Sequence, residues 1–185
     1  MRTSEWRPGP RAATALTWSG WGVFVAALLG YGSLYLAGHD QDQPLRLQGS
    51  AGLLLGLLIQ TLLVLLAAVA HELIHLAGYW AVGGRARLRL QRDRFLTMVE
   101  ADLVSRPRYL LVAVAPLLVL GLAGVLAVRG ETGGWWVVPA AANVSLSVID
   151  VVTAALVARL PSGSLVGASA VGLCIVEPEP APAEV

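Results

Sequence analysis

The longest apolar run in the chain carries three ionisable side chains within five residues. From Ala51 to Val82 the sequence has the composition of a membrane-spanning helix, yet positions 71–75 read His71-Glu72-Leu73-Ile74-His75. Residues four apart on a helix lie one above the other on one face, so His71 and His75 can each turn a ring nitrogen toward one metal ion. Glu72 sits about a third of a turn round, within reach of a water at that metal. Two His four apart with a Glu after the first are a metal site with a general base. An ionisable group in the middle of such a helix costs about 2.5–3.5 kcal/mol. That cost argues for a site rather than for incidental neighbours.

Only 14% of the 185 residues are charged and 56% are hydrophobic. Soluble domains carry nearer about 25% charge, so the chain reads as an integral membrane protein. Its net charge of +1 provides no general attraction for nucleic acid. The single cysteine, Cys174, excludes an internal disulfide.

The expected fold class is an all-α membrane protein of four transmembrane helices, at about 17–37, 51–82, 109–128 and 135–160. Residues 1–16, with Arg2, Arg7 and Arg11, read as a basic tail. Trp18, Trp21, Tyr31 and Tyr35 flank the first helix as headgroup-level aromatics, and Tyr79 and Trp80 do the same for the second. His39 reads as a loop residue. Between the second and third helices, Arg85, Arg87 and Arg89 alternate with Ala86, Leu88 and Leu90, and a second alternation runs from Phe95 to Asp102. Period-two patterning predicts a hairpin over 85–103 that turns at 91–94. Pro116 is expected to kink the third helix. Residues 161–176 read as a loop with at most one strand, and 177–185 as disordered. The domain plan is therefore a tail, a membrane domain over 17–160, and a C-terminal loop and tail over 161–185.

Arg is concentrated before the first helix and in the 83–108 segment, whereas the 39–50 loop is acidic. The positive-inside rule then predicts a multi-pass cell-membrane protein with both termini and the hairpin cytoplasmic. On that topology His71 and Asp150 fall at one depth, roughly 12–14 Å from the cytoplasmic boundary at 1.5 Å per residue. Asn143 and Ser147 share the Asp150 face of the fourth helix. Spacing alone leaves two candidates for a third ligand. One is Asp150, and the other is Glu100, placed 25 residues after His75 in the hairpin.

His71-Glu72-Leu73-Ile74-His75 in one membrane helix, Ala115-Pro116 in the next, and Asn143 followed by Asp150 in the last resemble the bacterial putative zincin peptidase family. That family is an integral-membrane group similar in plan to the site-2 proteases, and the resemblance covers about residues 50–176. It implies one zinc ion (Zn2+) held by His71, His75 and Asp150, with Glu72 activating water. The site-2 pattern has a Pro after its Asn and a Gly after its Asp. Here 144–149 contains no Pro and Val151 follows Asp150. Asn143 and Ser147 are candidates for contact with substrate or with the ligands.

The expectation is thus a membrane-embedded zinc metalloprotease acting on a membrane protein or peptide. The substrate must be extended, because a helical backbone hides its carbonyls in its own hydrogen bonds. The rival reading is a non-catalytic module, with structural metal or none, that binds lipid or a protein partner.

Overall fold

The structure, a computed structural model, describes residues 2–39, 49–90, 97–169 and 172–178. Four helices carry most of them: α1 (Pro10–Gly38), α2 (Gly49–Ala81), α3 (Arg106–Val128) and α4 (Gly133–Val157). All four are long and apolar enough to cross a membrane. Six short strands accompany them: β1 (Arg2–Trp6), β2 (Ala86–Leu90), β3 (Thr97–Ala101), β4 (Val104–Ser105), β5 (Leu165–Ser169) and β6 (Gly172–Glu177).

The helix boundaries follow local chemistry. α1 starts at Pro10, whose missing N–H is harmless at a first helical position. Gly9 precedes it, and its carbonyl accepts from Ala13 N at 2.8 Å. α2 stops in a two-bond cap: Gly83 N donates to Trp80 O at 3.1 Å and Gly84 N to Tyr79 O at 2.9 Å. Gly83 takes φ +82°, the left-handed residue that this cap requires. α4 ends in a tight turn in which Leu160 N donates to Val157 O at 3.1 Å. The Arg106 guanidinium donates to the half-buried Leu160 carbonyl.

The 85–103 alternation does pair as two antiparallel strands, β2 with β3, with Arg87 opposite Glu100. Its expected turn at 91–94 lies outside the described residues. The all-α expectation needs a correction elsewhere. A four-stranded antiparallel sheet in the order β1-β6-β5-β4 lies outside the hairpin. The stretch read as a basic tail holds β1, paired from Arg2↔Glu177 to Trp6↔Leu173, and the start of α1. β1 carries a single large apolar residue, Trp6, so its own pattern gives no strand signal, and the β6 edge decides its conformation. The stretch read as a loop with one strand holds two, β5 and β6. Its glycines suggested a loop, but a Cβ at Gly167 would stand 2.8 Å from Ala101 O, so that glycine marks close backbone approach.

The described chain divides into two units. One comprises Met1–Ala13, Glu72–Ala115 and Asp150–Val185, the other Thr14–His71 and Pro116–Ile149. The division runs through three continuous helices, between His71 and Glu72, Ala115 and Pro116, and Ile149 and Asp150. The first unit contains both sheets and a core in which Leu76 and Tyr79 of α2, Val112 and Ala113 of α3, and Ala154 and Val157 of α4 meet Val166, Leu173 and Ile175. Tyr79 is only 3% exposed, which corrects its reading as a headgroup anchor. It follows His75 by one turn and so shares the inward face of α2, while neighbouring Trp80 points out.

The second unit is all helix and is joined by small residues and backbone carbonyls. Ser145 Oγ donates to Gly20 O at 2.8 Å, and Tyr31 Oη to Gly121 O at 3.2 Å. His39, read as a loop residue, places Nδ1 3.0 Å from Tyr35 O and Nε2 3.0 Å from Gly130 O. It ties the end of α1 to the turn before α4.

Candidate metal centre

His71 and His75 stand one turn apart on the uninterrupted α2, so the helix itself fixes their relation. His71 is buried at 4% exposure. In its unit, its Nδ1 lies 2.9 Å from Asn143 Oδ1. The Asn143 amide nitrogen donates to Pro116 O at 3.5 Å, which turns the amide so that its oxygen faces the imidazole. Nδ1 of His71 therefore carries the proton, and Nε2 carries the lone pair.

In the other unit, His75 Nδ1 lies 3.1 Å from the Val112 carbonyl of α3. A carbonyl only accepts, so this nitrogen too is the protonated one. His75 Nε2 faces Asp150 Oδ1 at 3.4 Å. With Nδ1–H donating, a neutral Nε2 and a carboxylate oxygen are both acceptors. A proton on Nε2 or a metal ion shared by the two atoms satisfies this pair. Ligands about 2.0–2.1 Å from one tetrahedral zinc stand roughly 3.3–3.4 Å apart, which the observed separation matches. The three groups offer ligand atoms that all lie within 4.8 Å of one another. Two imidazoles and a carboxylate are a donor set that suits zinc.

The last turns of α2 and α4 share one core in their unit, through Leu76 and Tyr79 and through Ala154 and Val157. His75 comes six residues before Ala81, and Asp150 seven before Val157. Around Asp150 the polar groups are tied down: Thr153 Oγ1 donates to Asp150 O at 3.0 Å, and Tyr109 Oη to Thr153 Oγ1 at 3.5 Å.

The remaining expected residues divide clearly. Glu72, half-buried, follows His71 directly in the chain. Asn143 is 1% exposed and holds a histidine. Ser147 is equally buried but donates to Asn143 O at 2.9 Å, back onto its own helix. Glu100 belongs to no metal-binding group among the described residues, and its backbone is paired with Arg87 in the hairpin.

Sequence reasoning missed Val112. A signal for it exists, because a proline inside a helix leaves the carbonyl four residues earlier without its usual donor. Pro116 does this to Val112. Which side chain would take up that carbonyl depends on packing and could not be read from the spacing.

Residues 64–165 match a family model whose description is putative zincin peptidase. Searches of curated proteins and of solved structures find no match.

Proposed function

Because the chain belongs to the putative zincin peptidase family, we propose that it is a membrane-embedded zinc metallopeptidase that hydrolyses peptide bonds near the cytoplasmic side of the bilayer. The observation that carries this reading is the facing pair His75 Nε2 and Asp150 Oδ1, with His75 Nδ1 already committed to Val112 O. An imidazole and a carboxylate facing in this way can share a cation, and Glu72 on the same helix supplies a base.

His71, His75 and Asp150 would hold the metal, and Asn143 and Val112 O set the two imidazole rings. A zinc ion there supplies Lewis-acid polarisation of the scissile carbonyl and lowers the pKa of water. Glu72 takes the proton from the attacking water and returns it to the leaving amine. A zinc ion held by these three side chains would have room for water, as a catalytic site needs and a structural site lacks. The substrate is an extended segment of a membrane protein or peptide. The β2–β3 hairpin offers strand edges to which such a segment can add through its backbone.

Membrane embedding is supported by the outward faces of the helices. Leu54, Leu66, Leu111, Leu118, Leu122 and Leu126 are all more than half exposed, an apolar surface that suits lipid rather than water. The Arg distribution supports cytoplasmic termini and a cytoplasmic hairpin. Topology reporters fused after residues 45 and 131 are expected outside the cell and one after residue 92 inside. A reporter at 92 found outside would reverse the proposed orientation.

The proposal is tested by mapping new protein termini in membranes that contain the chain against membranes that lack it. Termini generated within or beside membrane segments are the expected result. Lipid hydrolysis with no new termini would assign the site a different substrate class.

A further inference from the structure

α3 and α4 each contain an internal proline, Pro116 and Pro139. Each ring removes the N–H that would bond the carbonyl four residues earlier, freeing Val112 O and Trp135 O. In both cases the freed carbonyl accepts from a polar side chain of α2. His75 Nδ1 lies 3.1 Å from Val112 O, and Gln60 Nε2 donates to Trp135 O at 3.4 Å. Within an apolar helix a carbonyl without a donor is costly, so a donor from a neighbouring helix is strongly held. Both prolines are almost fully buried.

We propose that Pro116 is a positioning residue for the metal: by withholding its backbone N–H it frees the Val112 carbonyl to hold His75 with the proton on Nδ1 and the lone pair on Nε2. The inference rests on the reading of His75 as a zinc ligand. Pro139 uses the same device on Gln60, which has no part in the metal site, and so provides a matched control.

The chemistry separates this role from plain packing. Pro116→Ala restores an N–H at 116 that competes with His75 for Val112 O. It also shortens a buried side chain, a change that alters packing wherever it is made. The two effects are separated by a third protein in which residue 116 has the alanine side chain but an ester in place of the amide, introduced by stop-codon suppression. That protein has the same shortened side chain and no N–H.

The measurements are zinc affinity of the purified full chain and the ¹⁵N shifts of the His75 ring in the zinc-free chain. Pro116→Ala is expected to weaken zinc binding about 10–100-fold, the range typical of lost partners to ligating His. The ester protein is expected to regain most of that loss, and Pro139→Ala to bind zinc as wild type does. In the zinc-free chain, the His75 proton is expected on Nδ1 in wild type and in the ester protein, and to redistribute toward Nε2 in Pro116→Ala. Equal zinc affinity and equal ring shifts in the amide and ester proteins would overturn the role given to Pro116. Wild-type chain that takes up no zinc would instead remove the metallopeptidase reading, while the ring shifts would still report on Pro116.

Discussion

Replacing Glu72 by Gln is expected to leave zinc bound and to stop proteolysis. In the proposed mechanism Glu72 is the base that moves a proton, and the group that could hold the metal is His71, His75 and Asp150. Gln keeps the size and hydrogen-bonding shape of the side chain but cannot accept the proton. General-base catalysis contributes roughly 10²–10⁴-fold, and a loss in that range is expected in the cleavage rate. Zinc per mole of purified chain should remain at the wild-type value. The measurement is paired: metal content by mass spectrometry, and cleavage of a membrane substrate identified from its new termini. A variant that cleaves at the wild-type rate would remove Glu72 from the chemistry.

The second large effect separates the two acids that spacing alone left open as third ligand. Asp150→Ala removes the carboxylate that faces His75 Nε2 at 3.4 Å. Loss of a direct ligand should weaken zinc binding by more than the ~10–100-fold seen for indirect partners. Glu100→Ala alters a hairpin residue outside the metal-binding group and should bind zinc as wild type does. The same two proteins should differ in thermal response to added zinc, because a ligand bound only to the folded chain stabilises it by an amount that rises with the logarithm of its affinity. Retained zinc in Asp150→Ala, with loss in Glu100→Ala, would move the site to the hairpin.

The parts of this protein that were legible in its sequence are those written as local periodicity or as an expensive residue. Four apolar stretches gave four helices because length and hydropathy suffice for that. The alternation around Arg87 and Leu88 gave the β2–β3 pairing because the side-chain period of a strand is short enough to see in five residues. Asp150 could be singled out because a carboxylate in an apolar helix needs a compensating partner.

The parts that were not legible depend on contacts far apart in the chain. Arg2–Trp6 pairs with residues some 170 positions away, and nothing in its own composition announces a strand. Tyr79 has the chemistry of a headgroup anchor, and only the packing of α2 against the sheet side of its unit buries it. Asn143 was a candidate for substrate or ligand contact. Its bond to His71 could not be derived from spacing, because the helical phase of α4 against α2 sets it. The Val112 carbonyl is an intermediate case. Pro116 shows in the sequence which carbonyl is freed, but only the fold shows that the His75 imidazole takes it.

The most direct measurement is X-ray absorption at the zinc edge on the purified chain. One zinc per chain is expected, with the scattering signature of two imidazoles and the remaining ligands oxygen, at about 2.0–2.2 Å. A sulfur neighbour at about 2.3 Å, which only Cys174 or a methionine could supply, would contradict the assigned site, as would a chain that takes up no zinc at all.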